Sequence, residues 1–372
     1  MKSWFMVLAM VQLAILSTVG LVRFFLLAQM SQQGVAGGDY GLFLFCSSIA
    51  SIVVPFAIGH HIDRGRYRAI AIWGVVMLSA LAFWLLRSPP QSLTLMACSF
   101  TLVASCAVVA VQLCLKSAVV EGCQNGNWLK GNWLNQIVLA LSLLIPAFAH
   151  LMFYGDYSIE QLSVGMLLVL MVTGLAAKSQ LPKMLKVSGK SKRIKPTQAL
   201  GILRQHLAHT DTMWYVLLLL TMNFASGVLE SYALPKIQAQ FGGDGIVYAL
   251  LAVGALYFVG SFVSLYVCKI RALRSPITMY LLMMVFFIGL QLTASLHWFL
   301  MLCALFFLLH PHIYVISDGQ IQRSAPSESI GTHFSVIRVA SFVSLSLGNL
   351  FMYAVLTLFP ASISECGSAC FH

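Results

Sequence analysis

Charged residues are scarce in this chain. Asp, Glu, Lys and Arg make up 9% of its 372 residues, against 59% hydrophobic. No Gly-rich loop ends in Lys-Ser or Lys-Thr, which excludes ATP hydrolysis by a phosphate-cradling loop. No nucleophile elbow occurs, and the polar loops are too short to fold a catalytic domain, so an enzyme is not expected. No ten-residue stretches alternate apolar with polar, which excludes a transmembrane β-barrel. The nine cysteines show no metal-ligand spacing. Cys46, Cys98, Cys106, Cys114, Cys268 and Cys303 fall in or beside apolar runs, where cysteine acts as a small hydrophobe. Neither a metal nor another cofactor is implied. A cleavable signal is also missing: the first apolar run is too long, and no small-residue cleavage site follows it.

What the chain has instead is length without charge. Mean hydropathy is +0.88. About 20 apolar residues cross a hydrocarbon core about 30 Å thick, and in lipid the backbone must bond within its own segment. Eleven spans are expected, near 4–28, 40–59, 69–86, 92–115, 133–154, 158–177, 213–234, 246–268, 276–296, 298–317 and 335–359. The fold class is therefore all-α, a polytopic membrane protein. One long polar stretch, 178–211, divides the spans into six and five. It holds Lys183, Lys186, Lys190, Lys192, Arg193 and Lys195 with Pro182 and Pro196. The implied organisation is a bundle over 1–177, a basic linker over 178–211, a second bundle over 212–359 and a tail over 360–372. Within the linker, Leu200, Leu203 and Leu207 share one face of a helix expected over 197–209, lying on the inner membrane surface.

Basic residues orient the spans. All but Arg23, Arg87, Lys236 and Arg338 of the 22 Lys and Arg fall on one side, Lys116 and Lys130 among them. The positive-inside rule makes that side cytoplasmic. It puts the N-terminus inside and the C-terminus outside, periplasmic or extracellular, on a multi-pass protein of the inner (plasma) membrane. The formal charge of +11 then reflects topology and attraction to anionic lipid, and needs no nucleic acid. Cys366 and Cys370 fall in the outer tail. A disulfide and two free thiols are both open readings there.

A polar island stands between the second and third runs: Gly59-His60-His61-Ile62-Asp63-Arg64-Gly65-Arg66-Tyr67-Arg68. Gly59 lets two helices approach. Asp63 is placed to cap span 3 or to pair with a cation on a neighbouring helix. Arg64 and Arg68 are placed to pair across the cytoplasmic face or to hold lipid phosphate. The spacing Gly-x3-Asp-Arg-x3-Arg resembles the loop between helices 2 and 3 of the major facilitator superfamily. That resemblance implies a two-bundle helical transporter and gives Gly59, Asp63, Arg64 and Arg68 the role of latching the inner gate. The alternative is a topogenic basic cluster without a gate.

Two further stretches share the resemblance. Gly131-Asn132 opens span 5, and Pro146 lies deep within it, as in the Asn-led fifth helix of the family. Family exporters flank that proline with glycine, whereas here Leu144, Ile145, Ala147 and Phe148 surround it. Pro146 alone still frees one carbonyl and bends the helix. Gln320-Ile321-Gln322-Arg323-Ser324-Ala325-Pro326 is similar to the entry of helix 11 in bacterial drug- and siderophore-exporting branches. The chain departs from the family pattern in one respect: no twelfth run follows span 11. Either an eleven-span variant or a truncated frame is expected, with part of span 10 or 11 exposed.

Polar groups inside spans usually face a cavity or a partner. Arg23, Asn223, Glu230 and Arg338 are the candidates for substrate or proton chemistry. Glu230 is the only acid clearly inside a span, and Arg23 is placed to meet an acidic substrate or Glu230. For Glu230 and Arg23, snorkelling to the interface is the alternative. His310 and His312 flank Pro311 and read as hydrogen-bonded groups at a kink, with a proton relay the alternative. His60 and His61 read as loop residues. The resemblance implies a secondary-active transporter that exports a small amphipathic or anionic molecule, drug- or siderophore-like, with protons as a candidate coupling ion. An importer or facilitator on the same fold, and a non-transporting membrane protein on a decayed scaffold, remain the alternatives.

Overall fold

The computed structural model describes residues 1–32, 37–87, 92–123, 128–152, 158–183, 196–270, 272–292 and 296–358. The tail with Cys366 and Cys370 lies outside the described residues. Among those residues the regular structure is helical. It comprises α1 (Ser3–Gln32), α2 (Gly37–Asp63), α3 (Tyr67–Arg87), α4 (Leu93–Gly122), α5 (Trp128–Met152) and α6 (Ile159–Gln180). After the linker come α7 (Pro196–Ala208), α8 (Thr210–Val267), α9 (Pro276–Leu292), α10 (Leu296–Ser324) and α11 (Ile330–Leu358). Eight helical stretches among the described residues are long and apolar enough to cross a membrane.

Local chemistry fixes several helix ends. The Ser92 hydroxyl accepts from the Leu95 N–H and caps α4. Ser158 and Gln161 form a reciprocal capping box on α6, satisfying two of the free N–H groups a helix start leaves. Gly65 has φ 66°, a left-handed conformation that glycine adopts without penalty. It reverses the chain between α2 and α3.

Helix α8 merges two expected spans. A straight helix of 58 residues would run about 87 Å at 1.5 Å per residue. Yet the Tyr215 hydroxyl near its start donates to the Arg274 carbonyl just past its end at 3.0 Å. The chain therefore reverses within α8, and two antiparallel arms, 210–229 and 251–267, stand where spans 7 and 8 were expected. With α9–α11 they form the second bundle, beside the first bundle of α1–α6. Buried Phe5, Ile15, Leu78, Phe100 and Leu113 belong to one apolar cluster. Met222, Met283, Phe286, Phe306 and Ile313 belong to another.

The two bundles meet along α2 against α11 and α5 against α8. The outer surface is apolar. Leu168, Met171, Val172 and Leu175 point outward from α6 at helical spacing, as a lipid-facing stripe requires. Val343, Leu347, Leu350 and Phe351 do so on α11, and Leu281, Met284, Val285 and Ile288 on α9. Helix α7 forms within the expected linker, but its expected face is only partly right. Leu203 and Leu207 pack on the protein, beside buried Ala199 and His206, whereas Leu200 is 70% exposed.

Candidate functional site: a polar seam between two helical bundles

The seam begins at the end of α2. Asp63 is 1% exposed. Its Oδ1 accepts from the Gly331 N–H at 2.6 Å and the Thr332 N–H at 3.2 Å. Its Oδ2 accepts from the Thr332 hydroxyl. These donors belong to the first turn of α11, where N–H groups are free and the helix dipole is positive. Asp63 thus caps a helix of the opposite bundle. Sequence reasoning names span 3 or a cation as its partner and misses α11. Close approach depends on two glycines. A Cβ on Gly59 would lie 2.6 Å from Ser335 Oγ, and one on Gly331 would lie 2.6 Å from Ile62 Cγ2 and 2.9 Å from Asp63 Oδ1.

His60 and His61 belong to the last turn of α2, not to a loop, because the helix runs on to Asp63. Their ring centroids are 3.8 Å apart. Partial burial, then Arg66 and Arg64, lower the His61 pKa. Arg64 and Arg68 are partly buried at the same end.

Asn132 and Gln322 join α5 to α10 by reciprocal amide hydrogen bonds of 2.9 and 3.0 Å. The Gln322 Nε2 also donates to the Lys116 carbonyl at 3.1 Å. Pro146 lacks flanking glycines in α5, but α1 supplies one from across the bundle. A Cβ on Gly20 would come within 2.9 Å of the Pro146 ring.

Deeper in the seam lies an ion pair. Lys116 Nζ of α4 is 2.8 Å from Asp318 Oδ2 of α10, with side chains 7% and 1% exposed. This overturns two expectations. Lys116 is not a loop cation, because α4 continues to Gly122. Glu230 is not the only acid within a span, because α10 continues to Ser324 and takes in Asp318. Arg338 lies further into α11 than expected, because that helix starts at Ile330. Eight residues at 1.5 Å each put it about 12 Å from that end. Its Nη2 donates to Gln112 Oε1 of α4 at 2.6 Å. Lys116, Asp318, Arg338 and Tyr314 line one cavity of about 10 Å³, enough for about one water.

The other sequence candidates scatter. Asn223 is buried and accepts from the Tyr314 hydroxyl at 2.9 Å, which places it behind the cavity wall. Among the described residues Arg23 meets only its own bundle. Its Nη2 donates to the Thr101 carbonyl at 3.4 Å and to the Ser105 hydroxyl, both on α4. The Glu230 side chain lies outside the described residues. His310 Nδ1 is 3.1 Å from the Tyr257 hydroxyl, which donates to Gln136 across the seam. His312 instead faces the Leu273 carbonyl at 2.8 Å. No group of side chains suited to a metal ion occurs among the described residues.

No protein-family profile matches the chain, and no curated protein sequence does. Solved structures do match. The human organic anion transporter MFSD10 aligns with a TM-score of 0.71 at 14% identity, over 99% of this chain and 96% of that one. The Escherichia coli fucose:proton symporter FucP aligns at 0.65 and 14%, over 95% and 92%. The major facilitator superfamily proton:xylose symporter XylE aligns at 0.62 and 13%, over 97% and 90%. The chain has the major facilitator fold. At these identities the likeness concerns the backbone.

Proposed function

We propose that this chain is a secondary-active transporter working by alternating access, and that it exports a small amphipathic or anionic molecule of drug or siderophore type. One observation carries the reading. The two bundles are held together at their basic end by non-covalent polar contacts, namely Asp63 on α11, Asn132 with Gln322, and Lys116 with Asp318. Such contacts are individually modest and can be exchanged for water. In this reading the bodies 1–177 and 212–359 rock about the seam. Gly59, Asp63, Arg64 and Arg68 act as the inner gate, and the linker 178–211 stays cytoplasmic. In this reading the basic end faces the cytoplasm of the inner membrane by the positive-inside rule, and the closed end is the inward one.

Glu230 and Asp318 are the acids proposed for proton coupling. A carboxylate couples only if its protonation biases the inward–outward equilibrium. An importer or facilitator is the second reading, favoured by the proton symporters FucP and XylE among the structural neighbours. Flux measured in inside-out and right-side-out vesicles, with and without a pH gradient, separates the two. Uptake into inside-out vesicles that needs an acidic lumen supports export. Absence of flux in either orientation, across drug-like and siderophore-like substrates, removes the transporter reading.

A further inference from the structure

The charges around the inter-bundle cavity do not balance. Lys116 and Arg338 bring two cations to it and Asp318 one carboxylate. Asp318 Oδ2 is committed to Lys116, and Asp318 Oδ1 accepts no hydrogen bond among the described residues. The partners of Arg338 are neutral: the Gln112 carbonyl oxygen at 2.6 Å and the Phe342 ring at 4.4 Å. Its Nε donates to nothing among the described residues. The remaining titratable groups at the cavity and its wall, Tyr314 and His310 on α10 and Tyr257 on α8, supply no second carboxylate. Among the described residues one positive charge is therefore left over between the bundles.

A charge held within a membrane span without a counter-ion is unfavourable and generally marks a ligand path. A guanidinium with a free Nε–H suits a planar oxyanion, which it can bind through two parallel hydrogen bonds. The rest of the wall is apolar: Leu113, Leu219, Phe334 and Ile337. This combination of one extra cation, a buried guanidinium Nε–H without a partner among the described residues and a greasy wall selects charge sign and shape together.

We propose that the cavity binds an amphipathic organic anion, a carboxylate or like oxyanion on an apolar body. Arg338 holds its charge, and the anion competes with Asp318 for Lys116. The cavity of about 10 Å³ is the closed state of this site, and the ligand enters when the bundles part. The proposal rests on the transport reading, because it names the substrate class of the same cavity.

Equilibrium dialysis tests it with the purified full chain in detergent, using radiolabelled benzoate against empty micelles. Benzyl alcohol and benzylamine serve as neutral and cationic competitors of the same size. Saturable benzoate binding is expected, undisturbed by either competitor. Arg338→Gln should weaken it at least about ten-fold and Arg338→Lys less, because lysine keeps the charge but loses the fork. Asp318→Asn should tighten it several-fold by releasing Lys116, a gain that a merely structural role would not produce. No saturable binding, equal competition by benzyl alcohol, or unchanged affinity in both Arg338→Gln and Asp318→Asn overturns the proposal. Binding is read without flux, so the two claims fail separately. Benzoate binding with no flux of any substrate would remove transport alone. Flux of neutral or cationic substrates without benzoate binding would remove the anion site alone.

Discussion

Asp63 at the end of α2 caps Thr332 at the start of α11, 269 residues away. One carboxylate takes two backbone N–H groups and a hydroxyl from the opposite bundle, at the end where the basic loops gather. A hydrogen bond to a charged group contributes about 1.5–3 kcal/mol. Asp63→Asn keeps the shape and removes the charge. It should loosen this end while leaving insertion intact, because acidic residues contribute little to topology. Hydrogen exchange of Gly331 and Thr332 amides should then quicken by about ten-fold or more. Exchange at the wild-type rate would return the basic loop to a topogenic role.

The Lys116–Asp318 pair behaves differently when one partner is lost than when both are. Lys116→Met strands a buried carboxylate and should destabilise the folded protein by about 3–5 kcal/mol. Lys116→Met with Asp318→Leu should recover most of that loss, since both charges leave together. A double-mutant cycle on unfolding in detergent gives the coupling. If the single and double variants lose equal stability, the two residues act independently.

Gly331 sets how closely α2 and α11 can lie. Gly331→Val puts side-chain atoms where Ile62 and Asp63 Oδ1 already sit, so the closed basic end should be disfavoured. Spin labels at Arg66 and Ser327, on opposite sides of the seam, should move apart by several ångströms, as a rocking of two bodies requires. An unchanged distance distribution would show that the helices accommodate the larger side chain without opening.

His206 of α7 and His333 of α11 are both buried, with Nε2 and Nδ1 2.8 Å apart. In this pair one ring donates and the other accepts, so at least one nitrogen must be unprotonated. Burial, with His209 nearby, lowers the His206 pKa below its ordinary value. Undocked, His206 titrates near about 6.5. Docking of α7 is therefore fully favoured above that pH and weakens as pH falls through it. Proteolysis within 196–208 should be slow at pH 7.5 and faster at pH 5.5. His206→Ala should remove the pH dependence. Equal cleavage at both pH values in the wild type would count against the docking pair.

The local patterns were enough to give the class of this protein and most of its helices. Runs of uncharged apolar residues can meet the demands of lipid only as helices, so the spans were legible without any tertiary knowledge. The short helix after Pro196 was legible from composition, and its Leu spacing gave the packed face only in part, since Leu200 turns away from Leu203 and Leu207. The island at Asp63 was legible because charge stands out in a chain that has so little. Helix ends were less so, since a helix continues past its last apolar residue whenever another surface covers it. The expected spans 92–115 and 298–317 stop one residue short of Lys116 and Asp318 for that reason.

Sequence by itself thus determined the solvent: hydropathy summed over about 20 residues decides between water and lipid whatever the neighbours are. It also marked Asp63, Asn132, Pro146 and Arg338 as unusual. What each of them meets was decided only by the tertiary structure. Asp63 caps α11, Pro146 meets Gly20 of α1, and Arg23 bonds Ser105 of its own bundle. Lys116 finds Asp318 across 202 positions of chain, through a 2.8 Å contact that neither local pattern announces. The physical reason is range. Hydropathy and helix propensity are sums over neighbours in sequence, whereas a charge pair or a helix cap depends on two atoms whose separation is fixed by how every intervening helix packs.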